Sequence, residues 1–252
     1  MPKLSGKVAI VTGAAGGIGS ATARLFAEEG AAVALVDLRP DALAALADEI
    51  VEKGGEALVV RADVTDEQDV RAAVDRVTGE CGRLDILVNN AGLAMGGLLV
   101  DTALEDWNRV LAVNLTSAFL MTKHAAPRMS DGAIVNISSV AALMAVTEAG
   151  AYTAAKGGVL ALTRVAAAEL GPAIRVNCIC PGTVLTSMPE EMFRRRGEGD
   201  VDAGIAITAR KYLTGRLGTP EEIASTALFL AGPDGSFFTG AVLAADGGVT
   251  AQ

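Results

Sequence analysis

Val8-Ala9-Ile10-Val11-Thr12-Gly13-Ala14-Ala15-Gly16-Gly17-Ile18-Gly19 passes from a β-branched apolar run into a glycine-rich turn, then into an amphipathic helical pattern reaching about Glu29. Strand, glycine turn and helix in that order make a phosphate-binding element. Gly13, Gly16, Gly17 and Gly19, with Ile18 between them, let the backbone turn tightly and approach a ligand closely. The helix start adds unpaired N–H groups and a partial positive charge. The stretch therefore implies a dinucleotide rather than a purely structural turn.

Working outward, the same alternation repeats. Apolar runs at Val8 to Thr12, Ala32 to Asp37, Ala57 to Arg61, Ile86 to Asn89, Ala133 to Ile137, Ile174 to Ile179 and Ala241 to Ala244 are separated by helical patterns. Such alternation predicts parallel strands with crossover helices on both faces, a Rossmann-type doubly wound α/β sheet of about seven strands. A chain of 252 residues without an interior linker or repeat reads as one domain, 1–252. One stretch breaks the alternation: from about Thr183 to Gly218 the chain carries Met188-Pro189, charges and glycines without a strand. It is expected to be an irregular insert that covers a substrate.

Composition narrows the function. Apolar residues make up 51% of the chain, yet no run approaches the ~18 residues of a membrane span. The first eight residues have no extended apolar core, so a secretory signal is not expected and a cytoplasmic location is the default. A net charge of −9 argues against nucleic acid as a partner. Cys81, Cys178 and Cys180 have no metal-binding spacing, and no metal is expected. Cys178 and Cys180 lie on one side of a strand as small buried hydrophobes.

Two residues carry the chemistry. If 150–170 is helical, Tyr152 and Lys156 share a face, which sets an ammonium beside a phenol. Free tyrosine titrates near 10, and lowering that by ~3 units takes ~4 kcal/mol of differential interaction. A neighbouring lysine and the positive ring of an oxidised nicotinamide are suited to supply it. Asp37, at the end of the second strand, stands where an acidic side chain accepts ribose hydroxyls and repels a 2′-phosphate. NAD is thus expected over NADP, with Arg39 the dissenting residue. Asp63-Val64, after the third strand, would contact adenine, or Asp63 would cap the helix starting near Asp66.

The ordered set Thr12-x-x-x-Gly16-x-Ile18-Gly19, Asn89-Asn90-Ala91-Gly92, Asn114, Ser139 with Tyr152-x-x-x-Lys156, and Pro181-Gly182 resembles the short-chain dehydrogenase/reductase family over essentially the whole length. The resemblance implies roles for individual residues. Tyr152 is the general acid/base, Ser139 (with Ser138 as fallback) donates to the reacting oxygen, and Lys156 holds the nicotinamide ribose and lowers the tyrosine pKa. Asn114 supports a proton relay. Asn90, Ala91 and Gly92 shape the cofactor cleft, and Pro181, Gly182 and Thr183 border the nicotinamide, with Thr186 a second candidate there.

The implied activity is hydride transfer between a secondary alcohol or ketone and NAD on a small substrate. The expected contacts are Ala94, Met95, Ala141, Leu143, Val146, Glu148 and Met188, mostly apolar. Two alternatives stand beside it: reduction of 3-oxoacyl groups on acyl carrier protein, with Arg128 as one basic contact, and a nucleotide-binding regulator without turnover. The resemblance also implies a homotetramer. Small residues at Ala154, Ala155, Gly157, Gly158 and Ala161 would permit close helix contact between subunits, or pack on the chain's own sheet.

Overall fold

The computed structural model describes residues 2–252. Seven strands, β1 (Val8–Thr12), β2 (Ala32–Asp37), β3 (Glu56–Arg61), β4 (Ile86–Asn89), β5 (Gly132–Ile137), β6 (Ile174–Pro181) and β7 (Val242–Ala245), form one sheet in the order β3-β2-β1-β4-β5-β6-β7. Every neighbouring pair is parallel. The strands fall within a residue or two of the apolar runs, so the expected doubly wound sheet is the one observed.

Side-chain alternation along each strand decides which helix goes where. Ala9 and Val11 of β1 and Leu35 of β2 face Phe26 of α1 (Gly17–Glu28), Leu43 and Ile50 of α2 (Pro40–Glu52), and Ile223 and Leu228 of the helix Pro220–Ala231. Val8, Ile10 and Val36 face the other way. They meet Val70, Val74 and Val77 of α3 (Glu67–Cys81) and Met121 of a later helix. Burying both faces explains the nearly unbroken apolar runs: each fully buried Leu, Ile or Phe contributes about 1.5–3 kcal/mol.

α4 (Leu104–Leu111) and α5 (Ser117–Ala125) are joined by a π turn at Ala112–Thr116, and α6 spans Gly150–Leu170. Where an irregular insert was expected, residues 183–218 instead hold α7 (Glu190–Arg196) and α8 (Val201–Ala209); Pro220–Ala231 is α9. The glycines there read as loop signals; Gly199 and Gly215 do turn the chain at positive φ, yet Gly197 and Gly204 serve packing. A Cβ on Gly204 of α8 would strike the Phe193 backbone of α7, and Asp200 caps α8 by accepting the Asp202 and Ala203 N–H groups at 2.9 and 3.2 Å. Phe193, Tyr212 and Leu217 form a small core beneath the two helices.

β1 is the switch point, with β2 on one side and β4 on the other, and the carboxyl ends of β1 and β4 open a crevice. Thr12 ties the two ends together. Its hydroxyl accepts the Asn90 and Ala91 N–H groups at 3.0 and 3.1 Å and donates to the Val88 carbonyl at 3.3 Å. The Asn90 amide donates to the Thr12 and Gly13 carbonyls at 2.9 and 3.2 Å. Gly13 turns with φ +64°, and a Cβ there would lie 2.9 Å from the Ala91 Cα. Gly19 is equally confined, because its Cβ would meet the Gly13 carbonyl and stand 2.6 Å from the Asn90 Nδ2. Gly19→Ala is expected to cost about 2 kcal/mol or more of unfolding free energy in a urea titration, from overpacking against backbone. An unchanged midpoint would mean the loop has slack the geometry denies.

Candidate active site

The crevice is lined first by the glycine turn. Gly16 caps α1 with no side-chain hydrogen bond, so the first-turn N–H groups are left for a ligand. Thr186, leaving β6, lies against the turn: a Cβ on Gly17 would fall 3.0 Å from the Thr186 Cβ. This capless helix start behind crowded glycines fits a pyrophosphate group.

Asp37 stands beside the turn. Its Oδ2 accepts the Ala15 N–H at 3.2 Å, and its Oδ1 accepts the Arg39 N–H at 3.2 Å. Arg39 folds back on it, with Nε 3.1 Å from Oδ1. The guanidinium is open to solvent while the carboxylate is nearly buried. The two opposing nucleotide signals of the sequence thus sit in one ion pair. Val64 is buried, and the Asp63 carboxylate accepts the Thr65 N–H and hydroxyl at 2.8 and 2.7 Å. The cap of α3 is Asp66, accepting from Gln68 and Asp69 at 2.8 and 3.0 Å, so the capping alternative for Asp63 does not hold.

At the far end of the crevice α6 delivers Tyr152 and Lys156 from one face, as the four-residue spacing requires. Lys156 is only 3% exposed, its Nζ 5.7 Å from the centre of the Tyr152 ring and donating to the Ile137 carbonyl at 2.9 Å. Ser139 is the second residue after β5, and its Oγ accepts the Ala141 N–H at 3.2 Å. Ser138 points elsewhere: buried, it donates to the Lys156 carbonyl at 2.8 Å, which fixes α6 on the sheet and leaves Ser139 beside the phenol. The Tyr152 ring packs on the buried cluster of Val110, Ala151 and Ala155, as do Leu93, Met95, Trp107, Leu111 and Leu115.

Asn114 lies in the π turn, where the widened backbone turns its amide inward. It donates to the Leu93 and Val110 carbonyls at 2.7 and 2.9 Å and accepts the Leu93 N–H at 3.2 Å. Gly92 stands between Asn114 and Lys156: a Cβ there would be 3.1 Å from the Asn114 Oδ1 and 3.5 Å from the Lys156 Nζ. Of the expected substrate contacts, Met95 and Ala141 are at least partly buried beside the site. Leu143, Val146 and Met188 expose 40% or more of their surface around its mouth. Glu148, held at φ +59°, reaches Arg195 of α7 at 3.1 Å.

Burial acts on both reactive groups. It pushes the Tyr152 phenol above its ordinary value, against a smaller downward pull from the Ser139 hydroxyl. It pushes the Lys156 ammonium down from 10.5 to about 8. In the absence of cofactor, desolvation is the largest influence on the phenol, and the joint action expected of the lysine and an oxidised nicotinamide concerns the cofactor-bound state. Cys178 and Cys180 are buried on one side of β6 against Val159 and Leu160, as the strand period predicts.

Several supporting residues escaped the sequence. Asn136 accepts from the Asn89 amide at 2.8 Å and donates to the Thr163 hydroxyl at 2.9 Å, a buried polar chain pinning β4, β5 and α6 beneath the site. The Asn89 Oδ1 is buried without a partner among the described residues. A polar residue inside an apolar strand is the one signal that could have marked Asn136. Nothing in the sequence marks Trp107 or Leu93 as neighbours of Tyr152. Among the described residues no group of three or more His, Cys, Asp or Glu could hold a metal ion, and no helix is long and apolar enough to cross a membrane.

A family model described as enoyl-(acyl carrier protein) reductase matches residues 13–250. The cis-4-hydroxycyclohexanecarboxylate dehydrogenase of Sinomonas cyclohexanicum is 45% identical over 97% of each chain. The chain belongs to the short-chain dehydrogenase/reductase family. D-threitol dehydrogenase of Mycolicibacterium smegmatis, 42% identical over 98% of this chain and 94% of its own, is a further relative. Among solved structures, carveol dehydrogenase of Mycobacterium avium in complex with NAD superposes with a TM-score of 0.97 at 31% identity over 100% of both chains. Short-chain dehydrogenases of this kind are oxidoreductases acting on alcohols with a nicotinamide cofactor.

The buried lysine has a measurable signature. Because the folded pKa of Lys156 is lowered to about 8, the folded chain binds fewer protons than the unfolded one between pH 8 and 10.5. Stability relative to a Lys156→Met variant is therefore expected to rise across that window, by at most about 1.4 kcal/mol per pH unit. A flat difference in paired urea titrations would show a lysine still in water.

Proposed function

We propose that this short-chain dehydrogenase interconverts a secondary alcohol and a ketone with NAD, using Tyr152 as the general acid/base. The observation that carries the reading is Lys156, buried within 5.7 Å of the Tyr152 ring with Ser139 at its side, at the opposite end of the crevice from the glycine turn. A bound nicotinamide supplies the hydride acceptor or donor. In the oxidative direction Tyr152 takes the hydroxyl proton as hydride leaves the carbinol carbon, and Ser139 donates to the oxygen that becomes the carbonyl. Lys156 gives the standing positive charge that opposes burial of the phenolate and reaches the nicotinamide ribose. Asn114, fixed by three hydrogen bonds beside Gly92, holds the end of the proton relay. Gly13 through Gly19 hold the pyrophosphate, Asp63 and Val64 border the adenine, and Pro181, Gly182 and Thr183 border the nicotinamide.

The substrate is small and largely apolar, with its reacting hydroxyl on a ring. Leu93, Met95 and Trp107, which pack on the same buried cluster as Tyr152, support this, as does the hydroxycyclohexanecarboxylate relative. Residues 183–218 cover it, with the Glu148–Arg195 ion pair closing α7 onto the loop after β5. The chain acts as one domain and assembles as a homotetramer, the solvent-facing Ala154, Ala161 and Val165 of α6 contributing to a contact. A second reading is reduction of a 3-oxoacyl group on acyl carrier protein, supported by likeness to the 3-oxoacyl-(acyl-carrier-protein) reductase of Thermotoga maritima, 39% identical over 98% of this chain and 99% of its own. Against it, Arg128 is already paired with Asp75 at 2.7 Å.

NADH formation with a panel of cyclic alcohols, polyols, sugar acids and hydroxyacyl thioesters separates the two readings. Tyr152→Phe is expected to lower kcat on the active substrate by about 10²–10⁴-fold, the usual worth of a positioned acid/base, while NADH affinity stays within about twofold. Near-normal turnover would remove Tyr152 from its role.

Asp37 supplies a second test. Losing two hydrogen bonds to a carboxylate in Asp37→Ala should weaken NADH binding by about tenfold. It also frees Arg39, so NADPH binding should tighten, and Asp37→Ala with Arg39→Ala should lose that gain. Unchanged preference in fluorescence titrations would overturn the cofactor assignment.

A further inference from the structure

Besides Tyr152 the chain has one other tyrosine, Tyr212, buried in the turn that follows α8. Its hydroxyl accepts the Thr183 N–H at 2.7 Å. Its ring lies against Gly182, where a Cβ would stand 2.8 Å from the Tyr212 Cε1 and 3.1 Å from the Asp246 Cα. The same ring meets Gly247, whose Cβ would be 3.1 Å from the Tyr212 Cδ1, and joins Phe193 and Leu217 in the core under α7 and α8. The rest of the turn after β6 is held by backbone alone: Gly182 donates to the Ala245 carbonyl at 3.1 Å, and the Thr183 carbonyl accepts from Gly218 at 3.1 Å. The phenol is thus the side-chain acceptor at the turn. It also links the turn 181–183, the helices of 183–218 and the C-terminal stretch.

We propose that Tyr212 is a positioning residue, whose hydroxyl fixes the turn Pro181–Thr183 in the shape that receives the nicotinamide and whose ring is seated in the core under α7 and α8. The inference rests on the proposed function, in which this turn borders the nicotinamide. An orphaned Thr183 N–H would let the turn rotate, because a half-buried donor without a partner seeks water or another acceptor. Tyr212 touches no reacting atom. Its influence runs through its hydroxyl and the backbone N–H of Thr183.

Tyr212→Phe removes the acceptor and keeps the ring. In the cofactor-free protein the Thr183 amide proton resonance should move upfield and its exchange with solvent quicken. NADH should bind about fivefold more weakly, as expected for one lost hydrogen bond, and turnover should fall with it. Val249→Ala, which loosens the same core from the C-terminal side and keeps the hydroxyl, should lower Tm without moving the Thr183 resonance or the NADH Kd. Equal NADH Kd and turnover in Tyr212→Phe and parent would overturn the proposal. So would a Val249→Ala variant that weakens NADH as much at the same loss of Tm. If the parent itself binds neither NADH nor NADPH, it is the reading of the crevice that fails, a result the parent titration shows by itself.

Discussion

Burial and charge are in conflict at the carboxyl end of β5. An ammonium and a phenol are withdrawn from water side by side, and desolvation acts against the charged form of each: Tyr152 is driven up and Lys156 down to about 8. The lysine remains largely protonated at neutral pH, held by the Ile137 carbonyl. The tyrosine remains a phenol. On the proposed mechanism such a site is poised rather than active, because its base would form only when further positive charge arrives. That couples chemistry to cofactor occupancy without a moving part.

The sheet makes this burial affordable. Both groups hang from α6, and α6 is fixed by the Ser138 bond to the Lys156 carbonyl and by the Asn136–Thr163 link to β5. These polar contacts lie beneath the site, inside a core that is otherwise apolar on both faces of the sheet. The same logic holds at the other end of the crevice, where Thr12 and Asn90 clasp β1 to β4 and crowd the turn until only glycine fits. Rigid ends leave adaptation to the loops after β4, β5 and β6, where the exposed apolar side chains Leu143, Val146 and Met188 gather.

Much of this was legible in the sequence because period and composition respond to local physics. β-branched runs buried on both faces announced the seven strands, and a glycine turn between strand and helix announced the crevice. The Tyr152–Lys156 spacing set both groups on one face of α6. What escaped was set by long-range packing. Gly197, Gly199 and Gly204 read as loop residues, while Gly204 allows α7 and α8 to cross. The inward amide of Asn114 in a π turn and the clasp between Tyr212 and Thr183 each need two distant segments already in place, while the fold-back of Arg39 onto Asp37 is a local side-chain choice that composition does not fix. The upward push on the Tyr152 phenol was missed because spacing reports neighbours, not desolvation.

The most direct measurement is a titration of the Tyr152 phenolate by ultraviolet absorbance, assigned by its absence in Tyr152→Phe and run with and without NAD. The account predicts that the phenol titrates above 10 in the free protein and well below it when NAD is bound. A phenol that ionises at the same pH in both states would contradict it, since neither Lys156 nor the cofactor would then be tuning the base.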